Sequence, residues 1–268
     1  MTNVHPSSVV SKETQLGEGV TIGANCFIGD NVSIGAGTII DPNVVIYDNV
    51  TIGENNRFFA NCVMGARPQI LGLNPDVETG GLVIGDRNTF HEQVTIHPSS
   101  HKGTFTKIGS DNLFMVGSHL GHDCIVEDNI VMSNYVQISG HCKIETGVWF
   151  SGVVAIHQFV TMGKWSYAAG LAGINRDIPP FLIVSGHYPP RIRGVNKRGL
   201  NRAGLNEEQQ QKIFDAHKKL YREGEALLEN AKALAQVDGL DENVRAIVDT
   251  IIKSSEHQYG RYLEQFRD

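Results

Sequence analysis

The stretch VGSHLGHDCIV, residues 116–126, sets His119 and His122 three positions apart and follows them with Asp123 and Cys124. A neutral imidazole backed by a carboxylate is the usual general base near neutral pH. Imidazoles with an acid can instead ligate zinc, and histidines also serve ordinary packing. Spacing alone does not choose among these, because three positions apart means one face of a helix but opposite faces of a strand. The local period decides which side chains meet.

That period is six. An aliphatic or large apolar residue returns at Val10, Leu16, Ile22, Ile28, Ile34, Ile40, Ile46, Ile52, Phe58 and Met64, often with glycine next, and the fourth residue after it is usually small or β-branched. The pattern breaks at 66–82, resumes at Ile84, Phe90 and Ile96, breaks again through 97–106, and then runs from Ile108 to Ile174 without a slip. A six-residue repeat suits neither an α-helix nor a simple alternating strand. It is the signature of a β-helix: short strands separated by Gly, Asn or Asp turns form the flat faces of a prism, and three faces make an 18-residue coil. Coils stack about 4.8 Å apart over an aliphatic interior. The two interruptions are loops expelled from the prism. The pattern does not set the hand of the coil, and crossover rules for parallel strands favour right-handed winding.

On such coils His122 is next to His141, and His157 falls near the same edge one coil further on, so three imidazoles are predicted to converge on one groove with Asp123 and Gln158 beside them. The four cysteines, Cys26, Cys62, Cys124 and Cys142, all occupy the small position of the repeat. That makes them stacking residues rather than nucleophiles or a disulfide framework.

DIPPF (177–181) and GHYPPRIRG (186–194) end the repeat, since proline has no N–H to give a neighbouring strand. From Asn206 the periodicity turns helical. Asn206 and Gln209 form a capping box, Ile213, His217, Leu220 and Tyr221 recur at helical spacing, and Val244, Ile247, Val248, Ile251 and Ile252 mark a further amphipathic helix after Gly239. Such helices would cover the open strand edges of the last coil. The predicted organisation is a β-helix at 1–190 and a helical domain at 191–268. The start MTNVHPSS has no targeting character and no stretch is apolar enough to span a membrane, which points to a cytoplasmic protein with reduced thiols. A net charge of −6 argues against a general nucleic-acid binder, although Arg191, Arg193, Lys197, Arg198 and Arg202 make one basic patch.

The hexapeptide repeats together with IGDRNTFHEQVTIH (84–97), KIGSDNLFMVGSHLGHDCIV (107–126), SGH (139–141), AIHQF (155–159), DIPPF (177–181) and GVNKRGLNRAG (194–204) resemble the UDP-N-acetylglucosamine O-acyltransferases of lipid A biosynthesis. The resemblance covers nearly the whole chain. It implies an all-β left-handed parallel β-helix with a C-terminal helical domain, a homotrimer, and active sites in clefts between subunits. It also implies transfer of a (3-hydroxy)fatty acyl group from acyl carrier protein to the sugar 3-hydroxyl, the first step of lipid A biosynthesis, with no metal or other cofactor. By the same resemblance His122 is the general base, Asp123 orients it and the Gly140 backbone stabilises the oxyanion. His141 and Gln158 hold the sugar and the acyl attachment, and His119 and His157 line the cleft. Asn196 and Arg202 meet the nucleotide, and Gly170 sets the depth of the acyl groove. Acidic acyl carrier protein would dock on the basic segment 191–202 and Lys164.

One stretch departs from the family. Where its loop reads Gln-Asp-Leu-Lys, with the Asp and Lys on the sugar, this chain reads Gln69-Ile70-Leu71-Gly72, and Arg67 or Asp76 are the charges left to substitute. The acceptor therefore stays open between UDP-N-acetylglucosamine and another nucleotide-linked amino sugar, and the product between ester and amide. Beside these stand a coenzyme A-dependent hexapeptide acyltransferase, a trihistidine zinc enzyme of the γ-carbonic-anhydrase kind, and a non-catalytic solenoid. The zinc enzyme draws two ligands five apart on one coil, against three here.

Overall fold

The computed structural model describes residues 2–267. The six-residue repeat folds into two-residue strands, such as Thr21–Ile22, Phe27–Ile28 and Ser33–Ile34, each paired in parallel with the strand one coil on. They form three sheets of 11, 9 and 8 strands, the faces of a prism. The second residue of each strand points inward, with buried Ile22 stacked on Ile40, Ile28 on Ile46 and Ile34 on Ile52. Corners need a left-handed residue to turn the chain. Asn25, Asn31, Asn43, Asn49, Asn55 and Asn61 supply it at φ between 53° and 65°, where asparagine is the best tolerated non-glycine residue.

The regular stacking survives both interruptions. Arg57 pairs with Ile39 on one side and across the first loop with Thr89 on the other, and Thr89 pairs across the second loop with Leu113. Phe58 and Phe90 stack inside the prism at 4.8 Å between centroids, and Phe114 follows Phe90 at 5.0 Å. A buried asparagine ladder runs alongside: Asn56 Oδ1 accepts from the Asn88 N–H at 2.9 Å, Asn88 Oδ1 from the Asn112 N–H at 3.0 Å, and Asn112 Oδ1 from the Ile130 N–H at 2.7 Å. Both loops leave after strands of the nine-stranded sheet, Val63–Met64 and Thr95–Ile96, and return into the eight-stranded one at Gly81–Ile84 and Phe105–Ile108. They are thus expelled at one and the same corner.

All four cysteines are buried and unpaired, as expected of stacking residues. Cys124 and Cys142 donate their thiols to the Ser139 and His157 carbonyls at 3.2 Å. Burial pushes the Cys62 thiol up to about 12 and raises Cys124 well above its ordinary value, so neither is a nucleophile.

Strand Leu182–Ser185 extends the eleven-stranded sheet and pairs antiparallel with Arg191–Val195, so the expected boundary at 190/191 falls inside a hairpin. Helices α1 (Lys197–Arg202), α2 (Glu207–Arg222), α3 (Leu227–Ala235) and α4 (Glu242–Ser255) follow. The Asn206–Gln209 capping box opens α2. Ile213, Leu220, Val244, Ile247 and Val248 form a second core that packs on Phe181 and Trp165, which covers the last coil. No helix among the described residues is long and apolar enough to cross a membrane.

Candidate active site

His122 and Asp123 sit on the corner from which both loops depart, between strands His119–Leu120 and Ile125–Val126. The His122 Nδ1 meets Asp123 Oδ2 at 2.6 Å. The second loop bends back to hold the carboxylate: the Ser99 hydroxyl donates to Oδ1, and the Ser100 hydroxyl and N–H donate to Oδ2 at 2.6 Å and 3.2 Å. Burial by itself would raise this carboxyl's pKa. The hydrogen bonds from His122, Ser100 and Ser99 outweigh it and hold Asp123 well below the usual carboxylate range. An ionised carboxylate only accepts, so the proton of neutral His122 lies on Nδ1 and Nε2 carries the lone pair. That nitrogen faces Gly140 on the next coil, where an added Cβ would lie 2.8 Å from both Cε1 and Nε2. Only glycine leaves the ring in place.

Among the described residues the Gly140 N–H makes no hydrogen bond, and with His119, His122, Gln69 and Gln158 this residue lines a cavity of about 340 Å³. His141 packs its ring edgewise on His122 at 5.0 Å, with its Nε2 3.7 Å from Asp123 Oδ2, and stacks on Phe159 at 4.6 Å. His119 shares a hydrogen bond through Nδ1 with Thr95 Oγ1 at 2.9 Å. Burial, helped by neighbouring His97 and His122, pushes His119 down to about 4, so it is neutral at physiological pH.

His157 is the correction. It is in register with Ser139 and Gly121 rather than with His122, its Nδ1 contacts the Gln158 carbonyl at 3.1 Å, and it lines neither of the two cavities beside His122. A coil is 18 residues and His157 lies 16 beyond His141, which sets it two positions short of the left-handed corner. The further imidazoles near His122 are instead His119, three residues before it on the same coil, and His97 on the preceding coil, 5.2 Å from His119 between ring centroids. His97, Ser99 and Ser100 escaped the sequence reading. The signal available was that the second repeat break begins in phase with the His122 corner.

Arg67 does not take the place of the missing loop charges: its guanidinium donates to the Asn74 and Val77 carbonyls of its own loop, and with Asp76 it lines a separate cavity. Gln69, Ile70 and Leu71 are the loop residues at the His122 cavities. His122, Asp123 and His141 also offer three metal-ligating atoms within 4.8 Å. Two ligands about 2.0–2.2 Å from one tetrahedral metal lie about 3.3 Å or more apart, so the 2.6 Å between Nδ1 and Oδ2 is the spacing of a shared proton.

Residues 177–259 match the family model of UDP-N-acetylglucosamine O-acyltransferase domain 2, and residues 31–66 match the bacterial transferase hexapeptide model of six repeats. An acyl-[acyl-carrier-protein]–UDP-N-acetylglucosamine O-acyltransferase of Paraburkholderia phymatum is 41% identical over 95% of this chain and 98% of its own. The chain belongs to the UDP-N-acetylglucosamine O-acyltransferase family. Among solved structures, the UDP-N-acetylglucosamine acyltransferase of Francisella novicida is 33% identical and superposes with a TM-score of 0.87 over 92% of this chain and 90% of that one. Superposition at that level requires the same hand of winding, the left-handed one the resemblance implied for this acyltransferase family.

The other residues that the acyltransferase resemblance assigned to the site lie elsewhere on this chain. Asn196 caps α1 by accepting from the Gly199 N–H at 3.1 Å and donates to the Trp165 carbonyl at 2.8 Å. Arg202 donates to the Gly147 carbonyl at 2.7 Å, with its guanidinium over the rings of Trp149 and Trp165. Both line a cavity of about 500 Å³ against the eleven-stranded sheet, a different face from the His122 corner. Gly170 lies on the corner joining the eleven- and nine-stranded sheets, where a Cβ would have ordinary contacts at 3.5 Å. Lys164 is turned into the helical cap, its Nζ 3.3 Å from Asn243 Oδ1.

Proposed function

We propose that this chain transfers a (3-hydroxy)fatty acyl group from acyl carrier protein to the 3-hydroxyl of UDP-N-acetylglucosamine, the first step of lipid A biosynthesis, in the cytoplasm. The observation that carries the mechanism is the His122 ring, held through Nδ1 by a clamped, ionised Asp123, with Nε2 presented beside Gly140. A sugar hydroxyl is a poor nucleophile toward a thioester until its proton leaves during attack. His122 Nε2 takes that proton as the hydroxyl oxygen bonds to the acyl carbon, and Asp123 steadies the imidazolium. The Gly140 N–H donates to the tetrahedral oxyanion, an interaction worth about a hundred- to a thousandfold in comparable sites. On collapse the C–S bond breaks, and the imidazolium returns the proton to the departing thiolate. His141 and Gln158 hold the sugar and the acyl attachment, His119 contributes to the cleft, and Asn196 and Arg202 receive the nucleotide.

That last pair sits on a different face from His122, which supports a site completed by a second copy in a homotrimer. Tyr135, Val153 and Leu171 give the same support: they line one corner as exposed hydrophobics at φ near 60°, a conformation costing about 1–2 kcal/mol for such residues, on the corner that carries Gly170, the residue assigned to set the depth of the acyl groove. The test is complementation. His122→Ala and Arg202→Ala chains are each expected to be crippled when purified alone, and co-expressed chains to regain a fraction of activity through assemblies holding one intact cleft. Near-wild-type turnover by His122→Ala alone rejects the mechanism; no recovery in the mixture rejects the shared cleft.

A second reading concerns only the acceptor. Ile70 lines the cavity where the family carries an acidic sugar contact, and this favours a different nucleotide-linked amino sugar. Mass spectrometry of products from a panel of UDP-sugars and acyl carrier protein thioesters decides between ester and amide.

A further inference from the structure

A second cavity, of about 410 Å³, adjoins His122 and His141 on the side of the two loops. The side chains lining it and its neighbour are imidazoles, amides, hydroxyls and hydrocarbons, with one exception: Arg267 carries the single permanent charge among the described residues lining either. We infer that Arg267 is a phosphate-binding residue of the His122 cleft. The inference rests on the acyltransferase reading, because both substrates of that reaction bring phosphate: the acceptor as its diphosphate, the donor as the phosphodiester of the phosphopantetheine arm.

The chain is arranged to bring this cation there. The end of the last coil grips the segment after α4: Asp177 accepts the Tyr262 N–H at 2.8 Å, and Arg261 donates to the Asn175 carbonyl at 2.9 Å. Glu264, in the 3-10 turn Tyr262–Phe266, pairs with Arg261 at 2.7 Å and through its other oxygen with Arg267 at 3.0 Å. The Arg267 guanidinium lies over the Phe159 ring at 4.9 Å, and that ring is stacked on His141. Its side chain is 45% exposed, so the charge is guided without being sealed. Guanidinium has five N–H donors in a flat fork suited to phosphate oxygens, and Glu264 engages one nitrogen. The aromatic face fixes the plane of the fork, and the carboxylate fixes its rotation.

The test uses the full chain carrying Arg267→Gln or Arg267→Lys, with each substrate varied at saturation of the other. Arg267→Gln is expected to raise one KM about ten- to fiftyfold while kcat changes far less, and Arg267→Lys to recover part of the loss. A rise in the UDP-sugar KM assigns the diphosphate; a rise in the acyl carrier protein KM assigns the phosphopantetheine phosphate. Both KM values within twofold of wild type overturn the inference, whatever happens to kcat, and so does a kcat/KM that increases. Melting curves of both variants are expected to match wild type and exclude misfolding, since the half-exposed Arg267 side chain belongs to neither core. An active His122→Ala variant would sink the acyltransferase mechanism, whereas unaltered KM values in Arg267→Gln sink only this assignment.

Discussion

The corner between the nine- and eight-stranded sheets is used in two ways along one molecule. In the N-terminal coils it reads Asp30-Asn31 and Asp48-Asn49, and the aspartate staples coil to coil: Asp48 Oδ1 accepts the Asp30 N–H at 2.8 Å, and Asp30 accepts the Ser11 hydroxyl at 2.5 Å. In the C-terminal coils the same two seats hold His122-Asp123, Gly140-His141 and Gln158-Phe159. The backbone is unchanged, since the Asn49 N–H reaches the Asp30 carbonyl at 3.1 Å just as the His141 N–H reaches that of His122 at 2.9 Å. A rigid repeat thus supplies the placement, and substitution at two seats supplies the chemistry. The left-handed seat passes from asparagine to histidine and phenylalanine, whose strained backbone costs of order 1 kcal/mol and persists where function requires it.

The most severe way to break this contrast is to write the N-terminal corner into the C-terminal one. The double variant His122→Asp with Asp123→Asn should keep its melting temperature within a few degrees and lose at least about a thousandfold in kcat. A variant that unfolds would show that the two corners are not equivalent scaffolds. Gly140→Ala comes next: the methyl group displaces the His122 ring, and a fall of about a hundredfold in kcat with a small change in melting is expected. The smallest effect sharpens the comparison through pH. His119 has its folded value depressed from 6.5 to about 4, so the unfolded chain binds its proton first as pH falls. Its contribution to stability is therefore whole above pH 6.5 and is lost progressively down to pH 4. Unfolding free energy measured over that window should fall less steeply for His119→Gln than for wild type, and parallel curves would contradict the assignment.

Much of this was legible in advance because a six-residue period is rigid arithmetic. It located the interior aliphatics, the cysteines at the small position, both loops and the contact between His122 and His141. It misplaced His157, because neighbourhood in a prism is decided by position within the turn, and two residues of offset move a side chain off the corner. The serines that clamp Asp123 could not be seen, since a loop expelled from the repeat obeys no period. Arg267 was invisible for the same reason: the segment after α4, held by Asp177 and by its own Glu264, carries no periodic mark. The separation of Arg202 from His122 needed three-dimensional faces, because the sequence records distance along the coil and not which sheet looks outward.

The ladder of Asn56, Asn88 and Asn112 carries a consequence for how such an enzyme diversifies. Because the Asn56 and Asn88 amides each bridge a gap where the chain has wandered off and returned, the scaffold stays indifferent to the length of either excursion. Recognition of new acceptors can then be rewritten in those excursions, residue by residue or by grafting, without retuning the base that performs the transfer.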